Sequence, residues 1–539
     1  MTLILVSLIL SAFLTWLMVR AYWPLAEKIG LVDNPDKTRK LHKTAIPLVG
    51  GISFCTAILI SVPLIVLLER SIPGFFRFCD QLIGSVLPWK LPYVSIGHFR
   101  QVDAMELSGL VIAGLFLLGV GVLDDWKGIR GRHKLIGQIV AATILMLFGF
   151  QFETVHFGGF TFRFGVFAGI LIYLWMLAAI NSVNLLDGAD GIATTIGVIM
   201  SGSMGVMLLF QGKGIDCVIM FSLTGALIAF LTFNFPPAKV YLGDAGSMLI
   251  GFLLAAMAIR STFKQSSLFA FMAPVALLAI PFIDTTAAIV RRRLTGRSLF
   301  SVDRGHLHHA LLEKGYSPTA SLVWVALFCL ITAAGGVMAV LYRDSEIAVA
   351  AIGMVIVMMA GARLFGFAEI KLAGRKAYGV AKAMIPGTKG IDVDEIKAST
   401  YHVQGDRDWE TCWEELKSYA VENNFVDMTL DLNAPWLHEA FHAKMKGTEK
   451  VRESNFVWSS SVPLVFKQRI FGKVDFSCFK DSRSHHEIIT DILAITRSIE
   501  ESLNEEPVAP ENSDNQEPKV ALSETGKGQP ANESHETST

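Results

Sequence analysis

The sequence predicts an all-α polytopic membrane protein of about eleven transmembrane helices, with a small C-terminal cytoplasmic α/β domain and a disordered tail. Three observations carry this. The chain of 539 residues is 52% hydrophobic and only 18% charged, with a mean hydropathy of +0.47, which is too greasy for a soluble protein of this size. Apolar runs of roughly 20 residues recur along it, each long enough to cross a bilayer core of about 30 Å. From about Glu369 that character is lost.

The apolar spans lie near 2–20, 48–68, 106–123, 135–150, 165–181, 192–210, 216–235, 245–260, 268–290, 319–341 and 346–368. The first run, TLILVSLILSAFLTWLMV, has no basic residue before it and Arg20 after it. That suits a transmembrane helix with its N-terminus outside better than a cleaved signal peptide. Polar segments 21–47, 124–134, 181–191, 236–244 and 291–318 then face the cytoplasm. The basic residues agree, with Lys37, Lys43, Lys127, Arg130, Arg132, Arg291, Arg292, Arg293 and Arg297 all on that side. The connection 69–105 is placed outside, and 152–165 reads as a small external hairpin around Gly158-Gly159.

These divisions give a membrane domain over 1–368, a basic linker over 369–400, a soluble domain over 401–503 and a tail over 504–539. The soluble domain shows helical patterns near 409–424 and 485–503, with strand patterns near 426–432, 456–467 and 470–478. The tail, rich in Glu, Asn, Pro and Ser, has too few apolar residues to form a core. The net charge of −1 gives no argument for nucleic acid. The six cysteines have no metal-ligand spacing, and Cys55, Cys217 and Cys329 lie inside apolar runs, where a thiol is a small apolar group.

Five polar segments share the cytoplasmic face. NSVNLLDGADG at 181–191 delivers Asn181, Asn184, Asp187 and Asp190 at steps of three, a curving strip where a membrane helix ends. Two amides and two carboxylates suit a hard cation and a phosphorylated ligand. In DNPDKTRKLHKTAIPLVGG at 33–51, Arg39, Lys40 and His42 precede Pro47 and Gly50-Gly51, basic groups suited to phosphate. In GVLDDWKGIRGRHK, adjacent Asp124 and Asp125 repel one another unless a cation is near, and Lys134 can supply that charge. In YLGDAGS, Asp244 begins an apolar helix whose first N–H groups lack partners, and Tyr241 can stack on a base or anchor the interface. In SVDRGHLHH, His306, His308 and His309 follow Arg304; the basic surround favours phosphate over a metal.

The segments RKLHKTAIPLVGG, GVLDDWKG, NSVNLLDGADGIA, YLGDAGS and SVDRGHLHH, in that order, resemble the polyprenyl-phosphate N-acetylhexosamine-1-phosphate transferase family. The RKLH and HLHH segments are closest to its undecaprenyl-phosphate N-acetylglucosamine-1-phosphate transferase branch; the muramoyl-pentapeptide transferase branch is the alternative. The likeness covers roughly residues 1–340 and leaves 401–539 unassigned.

The resemblance implies an enzyme of the inner (plasma) membrane that takes the first membrane step of cell-envelope glycan synthesis. It would use Mg2+ or Mn2+, a UDP-N-acetylhexosamine and a polyprenyl phosphate lipid, and would release UMP. Asn184 and Asp244 become the metal ligands. Asp187, Asp190 and Tyr241 would line the uridine pocket. Asp124, Asp125 and Lys134 would surround the acceptor phosphate, and Arg304, His306, His308 and His309 would hold the diphosphate. A homodimer and a regulatory partner for the C-terminal domain are the remaining expected associations.

Two readings from other classes compete. A transporter would carry its acids near the bilayer midplane on broken helices, whereas here they sit at predicted helix ends on one face. A scaffold with a degenerate transferase domain would not need the full set of motif carboxylates.

Overall fold

The computed structural model describes residues 1–34, 45–86, 101–150, 154–157, 160–163, 165–262, 268–294, 305–362, 364, 400–404, 409–423, 425–434, 439–446, 457–466, 469–479 and 484–502. Each of the eleven predicted apolar segments contains a helix among its described residues. They are α1 (Thr2–Ile29), α2 (Gly50–Ser71), α4 (Gln101–Lys127), α5 (Gly131–Leu147), α6 (Val166–Leu186), α7 (Ile192–Phe210), α8 (Gly214–Asn234), α9 (Gly243–Thr262), the pair α10 (Leu268–Leu277) and α11 (Ala279–Leu294), α13 (Pro318–Tyr342) and α14 (Ser345–Gly361).

Among the described residues, eight helices are long and apolar enough to cross a membrane, and a ninth span counts if α10 and α11 are taken together. α5 and α14, at 17 residues each, fall short of that length, so the count is below the eleven spans expected. The α10–α11 pair also departs from the sequence reading, which made 268–290 one span. It bends by 71°. Pro281 has no N–H to donate to the Leu277 carbonyl, and its ring crowds that carbonyl, so the helix breaks between them.

α9 forms the axis. Its apolar window is 94% buried, against 78% for α8, 67% for α7 and 33–44% for the other long spans. The outer helices leave Ile9, Phe13, Phe167, Leu174 and Val357 exposed, as expected of side chains that face lipid. Small residues let the backbones close in. Ser7, Ser11 and Thr15 recur every fourth residue as a buried stripe on α1, and a Cβ on Gly225 of α8 would strike the Leu8 carbonyl. Gly51 of α2 and Gly121 of α4 sit against the Ala245–Gly246 backbone of α9 in the same way.

Far from those glycines, at the other end of α4, Glu106 and Asp216 flank Arg260 of α9. Arg260 Nε donates to Asp216 Oδ1 over 2.9 Å, and Lys213 donates to the Arg260 carbonyl. Arg260 and Asp216 are both buried, and a charge survives there only because it is paired.

The predicted hairpin is present as β3 (Thr154–Phe157) paired antiparallel with β4 (Phe160–Arg163); its Gly158-Gly159 turn lies outside the described residues. The 69–105 connection holds a helix the sequence reading lacked, α3 (Pro73–Val86), whose Asp80 carboxylate receives the N-terminal amine at 3.0 Å. Two short strands, β1 (Val32–Asp33) and β2 (Ile46–Pro47), pair where α1 passes to α2. α12 (Leu307–Glu313) is a short helix before α13.

The C-terminal region has a hydrophobic cluster of its own. Its helices are α15 (Trp409–Glu422) and α16 (His485–Ser502). Its strands are β5 (Thr400–Gln404), β6 (Asp427–Ala434), β7 (Glu439–Lys446), β8 (Val457–Phe466) and β9 (Arg469–Phe479), in the sheet order β5-β7-β6-β9-β8. Every pairing is antiparallel. β5 and β7 are additions to the sequence reading. The 369–399 linker and the 504–539 tail lie outside the described residues.

Candidate active site

The end of α4, the end of α6 and the start of α9 converge, because α4 and α6 both pack along α9. Asp124 is buried. One of its oxygens pairs with Lys134 of α5, and the other accepts the Ile129 N–H at 2.8 Å. The Lys134 ammonium also reaches Asp244 Oδ2 at 2.9 Å, so one lysine bridges two carboxylates from helices far apart in sequence.

Asp125 turns the other way. Its Oδ1 accepts the Asp244 N–H at 2.7 Å and its Oδ2 the Ala245 N–H at 3.1 Å. It therefore caps α9 from α4, and the helix N-terminus that sequence reading left open is filled from within the protein. Gly243 (φ +75°) permits this, since a Cβ there would lie 2.5 Å from Asp125 Oδ2.

The strip on α6 divides in function. Asn181 exchanges amide hydrogen bonds with Gln138 of α5, at 2.7 and 3.2 Å, and so ties two helices together. Asn184 Nδ2 donates to Asp244 Oδ1 at 2.5 Å and to Ser247 Oγ at 2.8 Å. Asp187, half-buried past the helix end, has its carboxyl raised well above the usual range, first by burial and then by the charges of Asp244, Asp125 and Asp190. Asp190 Oδ2 accepts the Ala238 N–H at 2.9 Å.

Asp190 thereby braces the 235–242 loop that carries Tyr241. The loop is braced twice more. Asn234 takes a hydrogen bond from Thr194 at 2.7 Å and gives one to the Val240 carbonyl at 3.0 Å. Tyr241 N–H donates to the Pro47 carbonyl at 2.9 Å, while Gly50 and Gly51 N–H donate to the carbonyls of Tyr241 and Leu242. The described part of the IPLVGG segment is thus a brace for the Tyr241 loop. Burial, with Asp190, Asp33 and Asp187 nearby, pushes the Tyr241 phenol up to about 12.

His308 of α12 packs against the DGADG turn that follows α6. A Cβ on Gly188 would lie 3.3 Å from His308 Cε1 and 3.4 Å from Nε2, so the ring rests on the backbone of the DGADG turn. His308 is buried, stacks at 6.2 Å on His306 and meets His309 at 4.1 Å. Neither ring nitrogen has a hydrogen-bond partner among the described residues. Burial, then His309 and His306, hold its pKa well below the ordinary histidine value. The ring is therefore a neutral group whose two nitrogens are unmet among the described residues, a place for a ligand oxygen or water.

Asp284 of α11 was missed from sequence. It is 1% exposed, holds His306 Nδ1 through Oδ2 at 2.7 Å and accepts the Leu307 N–H through Oδ1 at 2.8 Å. Arg291, also buried, packs against Gly305 just before His306. Arg39, Lys40, His42 and Arg304 lie outside the described residues. The other predicted site residues gather in this one region.

Among the described residues no three His, Cys, Asp or Glu side chains form a ready metal cage. Magnesium does not require one, since it commonly uses one or two protein oxygens plus substrate phosphates and water. Asp244 and the Asn184 amide offer hard oxygen donors, and the acids crowded around Asp187 leave negative charge that a divalent cation would relieve. The group fits.

Residues 107–262 match the family described as Glycosyl transferase family 4. Over 371 residues, which are 64% of this chain and 85% of the other, the chain is 31% identical to decaprenyl-phosphate N-acetylglucosaminephosphotransferase of Mycobacterium tuberculosis. It is 28% identical over 326 residues to a probable undecaprenyl-phosphate N-acetylglucosaminyl 1-phosphate transferase of Bacillus subtilis, 60% of this chain and 81% of that one. It is 29% identical over 321 residues to undecaprenyl-phosphate alpha-N-acetylglucosaminyl 1-phosphate transferase of Escherichia coli, 58% and 78% of the two chains.

Proposed function

This chain belongs to the polyprenyl-phosphate N-acetylglucosamine-1-phosphate transferases, and on that premise we propose how its carboxylate and histidine cluster carries out the transfer. The protein is a multi-span membrane enzyme that moves N-acetylglucosamine 1-phosphate onto polyprenyl phosphate. The donor is UDP-N-acetylglucosamine, the membrane is the plasma membrane, and the cluster faces the cytoplasm, where the basic loops lie. The observation that carries the reading is the convergence of Asp124, Lys134, Asn184 and Asp244 from four helices onto one ion-paired center.

The acceptor is a phosphate monoester with a second pKa of about 6, already mostly dianionic at neutral pH. It needs orientation more than deprotonation. Lys134 provides that, a cation held in place by Asp124 and Asp244. An acceptor phosphate oxygen attacks the β-phosphorus of the UDP-sugar, the bond from that phosphorus to the bridging oxygen breaks, and UMP leaves with the bridging oxygen. Mg2+ or Mn2+ held by Asn184 and Asp244 supplies, when bound, charge neutralisation for the diphosphate.

His308, neutral and unpartnered, donates a hydrogen bond to a phosphate oxygen, with His306 fixed beside it by Asp284. Asp187 and Asp190 flank the Tyr241 loop and shape the uridine pocket. A covalent carboxylate route is disfavoured, because Asp125 has both oxygens on α9 N–H groups and Asp124 has one on Lys134 and one on Ile129.

The test is release of UMP from UDP-N-acetylglucosamine in the presence of polyprenyl phosphate and Mg2+. Asp244→Asn removes the charge that Lys134 and the metal share, and turnover should drop by orders of magnitude. Near-normal turnover at saturating Mg2+ would remove Asp244 from the site.

A further inference from the structure

A recess of about 550 Å3 opens between α1 and α8 at the end of the bundle that carries the active site. Trp16, Arg20 and Trp23 line it from α1, Phe233 from α8, and Lys239 from the 235–242 loop. Positions 16, 20 and 23 fall at helical spacing, so the three side chains share one face. The Arg20 guanidinium lies over the Trp16 ring, 3.8 Å from its centroid. Both cations are exposed, and neither has a carboxylate partner among the described residues. Glu27, the acid on the same stretch of α1, accepts from Trp23 Nε1 at 2.8 Å.

Tryptophan with arginine and lysine at the end of two membrane helices marks the depth at which lipid phosphates lie. A free phosphate would be held weakly by two exposed cations in water. A lipid reaches the recess from within the plane of the membrane and adds apolar contact with Trp16 and Phe233. The acceptor lipid is the poorer match, because its phosphate has to reach Lys134 in the active site.

We propose that this recess binds the headgroup of an anionic phospholipid. The bound headgroup joins α1 to the 235–242 loop through Lys239. That loop is already tied by Lys239 N–H to the Phe233 carbonyl at 2.8 Å and by Ala238 N–H to Asp190 at 2.9 Å, so the lipid would steady the near end of the segment that presents Tyr241.

Native mass spectrometry of the full-length protein, titrated with phosphatidylglycerol against phosphatidylcholine, tests this. The wild type should retain one phosphatidylglycerol in preference to phosphatidylcholine. The Arg20→Gln, Lys239→Gln double variant should bind it about 30-fold more weakly, about fivefold per cation, the equivalent of about 1 kcal/mol each. Lys28→Gln, on α1 but outside the recess, should bind as the wild type does. If the double variant does not insert, each single variant should show its own fivefold loss. Unchanged retention in the double or single variants, an equal loss in Lys28→Gln, or displacement of phosphatidylglycerol by equimolar polyprenyl phosphate would each overturn the assignment.

Discussion

Replacing Asp284 by Asn keeps the shape of the side chain and changes what it can accept. In the folded protein one carboxylate receives two donors, His306 Nδ1–H at 2.7 Å and Leu307 N–H at 2.8 Å. An amide has one acceptor oxygen, so one donor loses its partner and meets an NH2 group instead. A hydrogen bond to a charged group contributes about 1.5–3 kcal/mol. If that energy orients His306 for the transition state, its loss lowers kcat by about 10- to 150-fold, at about 1.36 kcal/mol per decade. The assay is UMP release at saturating donor and acceptor, alongside a melting curve and the pH dependence of kcat. The expected result is a lowered kcat, a smaller change in the KM for the nucleotide sugar, and an altered acid limb. Asp284→Glu should restore part of the rate. A variant with lowered melting temperature but unchanged kcat and pH profile would make Asp284 a structural anchor and refute the positioning role.

Three further outcomes are expected. The folded protein binds a proton at His308 less readily than the unfolded chain does, so its contribution to stability is intact above about pH 6.5 and is lost as pH falls below that, by up to about 1.4 kcal/mol per pH unit; thermal unfolding of the wild type against His308→Gln should show a shallower acid slope in the variant, and identical slopes would discount the buried ring. A cysteine at Ser298, in a background without reactive native cysteines, should resist a membrane-impermeant thiol reagent in intact cells, and ready labelling from outside would invert the proposed topology. Truncation after Ala368 removes the second hydrophobic cluster entirely and should leave an inserted enzyme with substantial transferase activity in detergent; a folded but inactive product would place the C-terminal region in the catalytic machinery.

The membrane helices were legible because greasiness over about 20 residues admits few other structures. The break at Leu277 was less so, since Pro281 stands in the first turn of α11, where proline also occurs without a bend. In the C-terminal domain β7 was hidden by its own composition. EAFHAKMK is built from helix formers, and its alternation of Phe441, Ala443 and Met445 toward the core is interrupted by the buried His442.

At the site, sequence identified the acids and histidines because charge at the end of an apolar helix has few structural explanations. It did not reveal how they divide the work. Nothing local distinguishes Asp124, on the lysine, from Asp125, which caps a helix more than a hundred residues downstream. Asp284 is one acid in an apolar run, 22 positions from the imidazole it holds, and only the folded chain brings them together.

The charged knot at the far end of the bundle bears on direction. Arg260 locks α9 to α4 and α8 some 18 residues along α4 from Asp124, about 27 Å at the rise of a helix. Between those points the axis is occupied by a helix with 94% of its apolar window buried, where a carrier would keep a water-filled path. The architecture is a plug with chemistry on one face. The chemistry is confined to one end of the axis helix, and the opposite end is an ion-paired anchor.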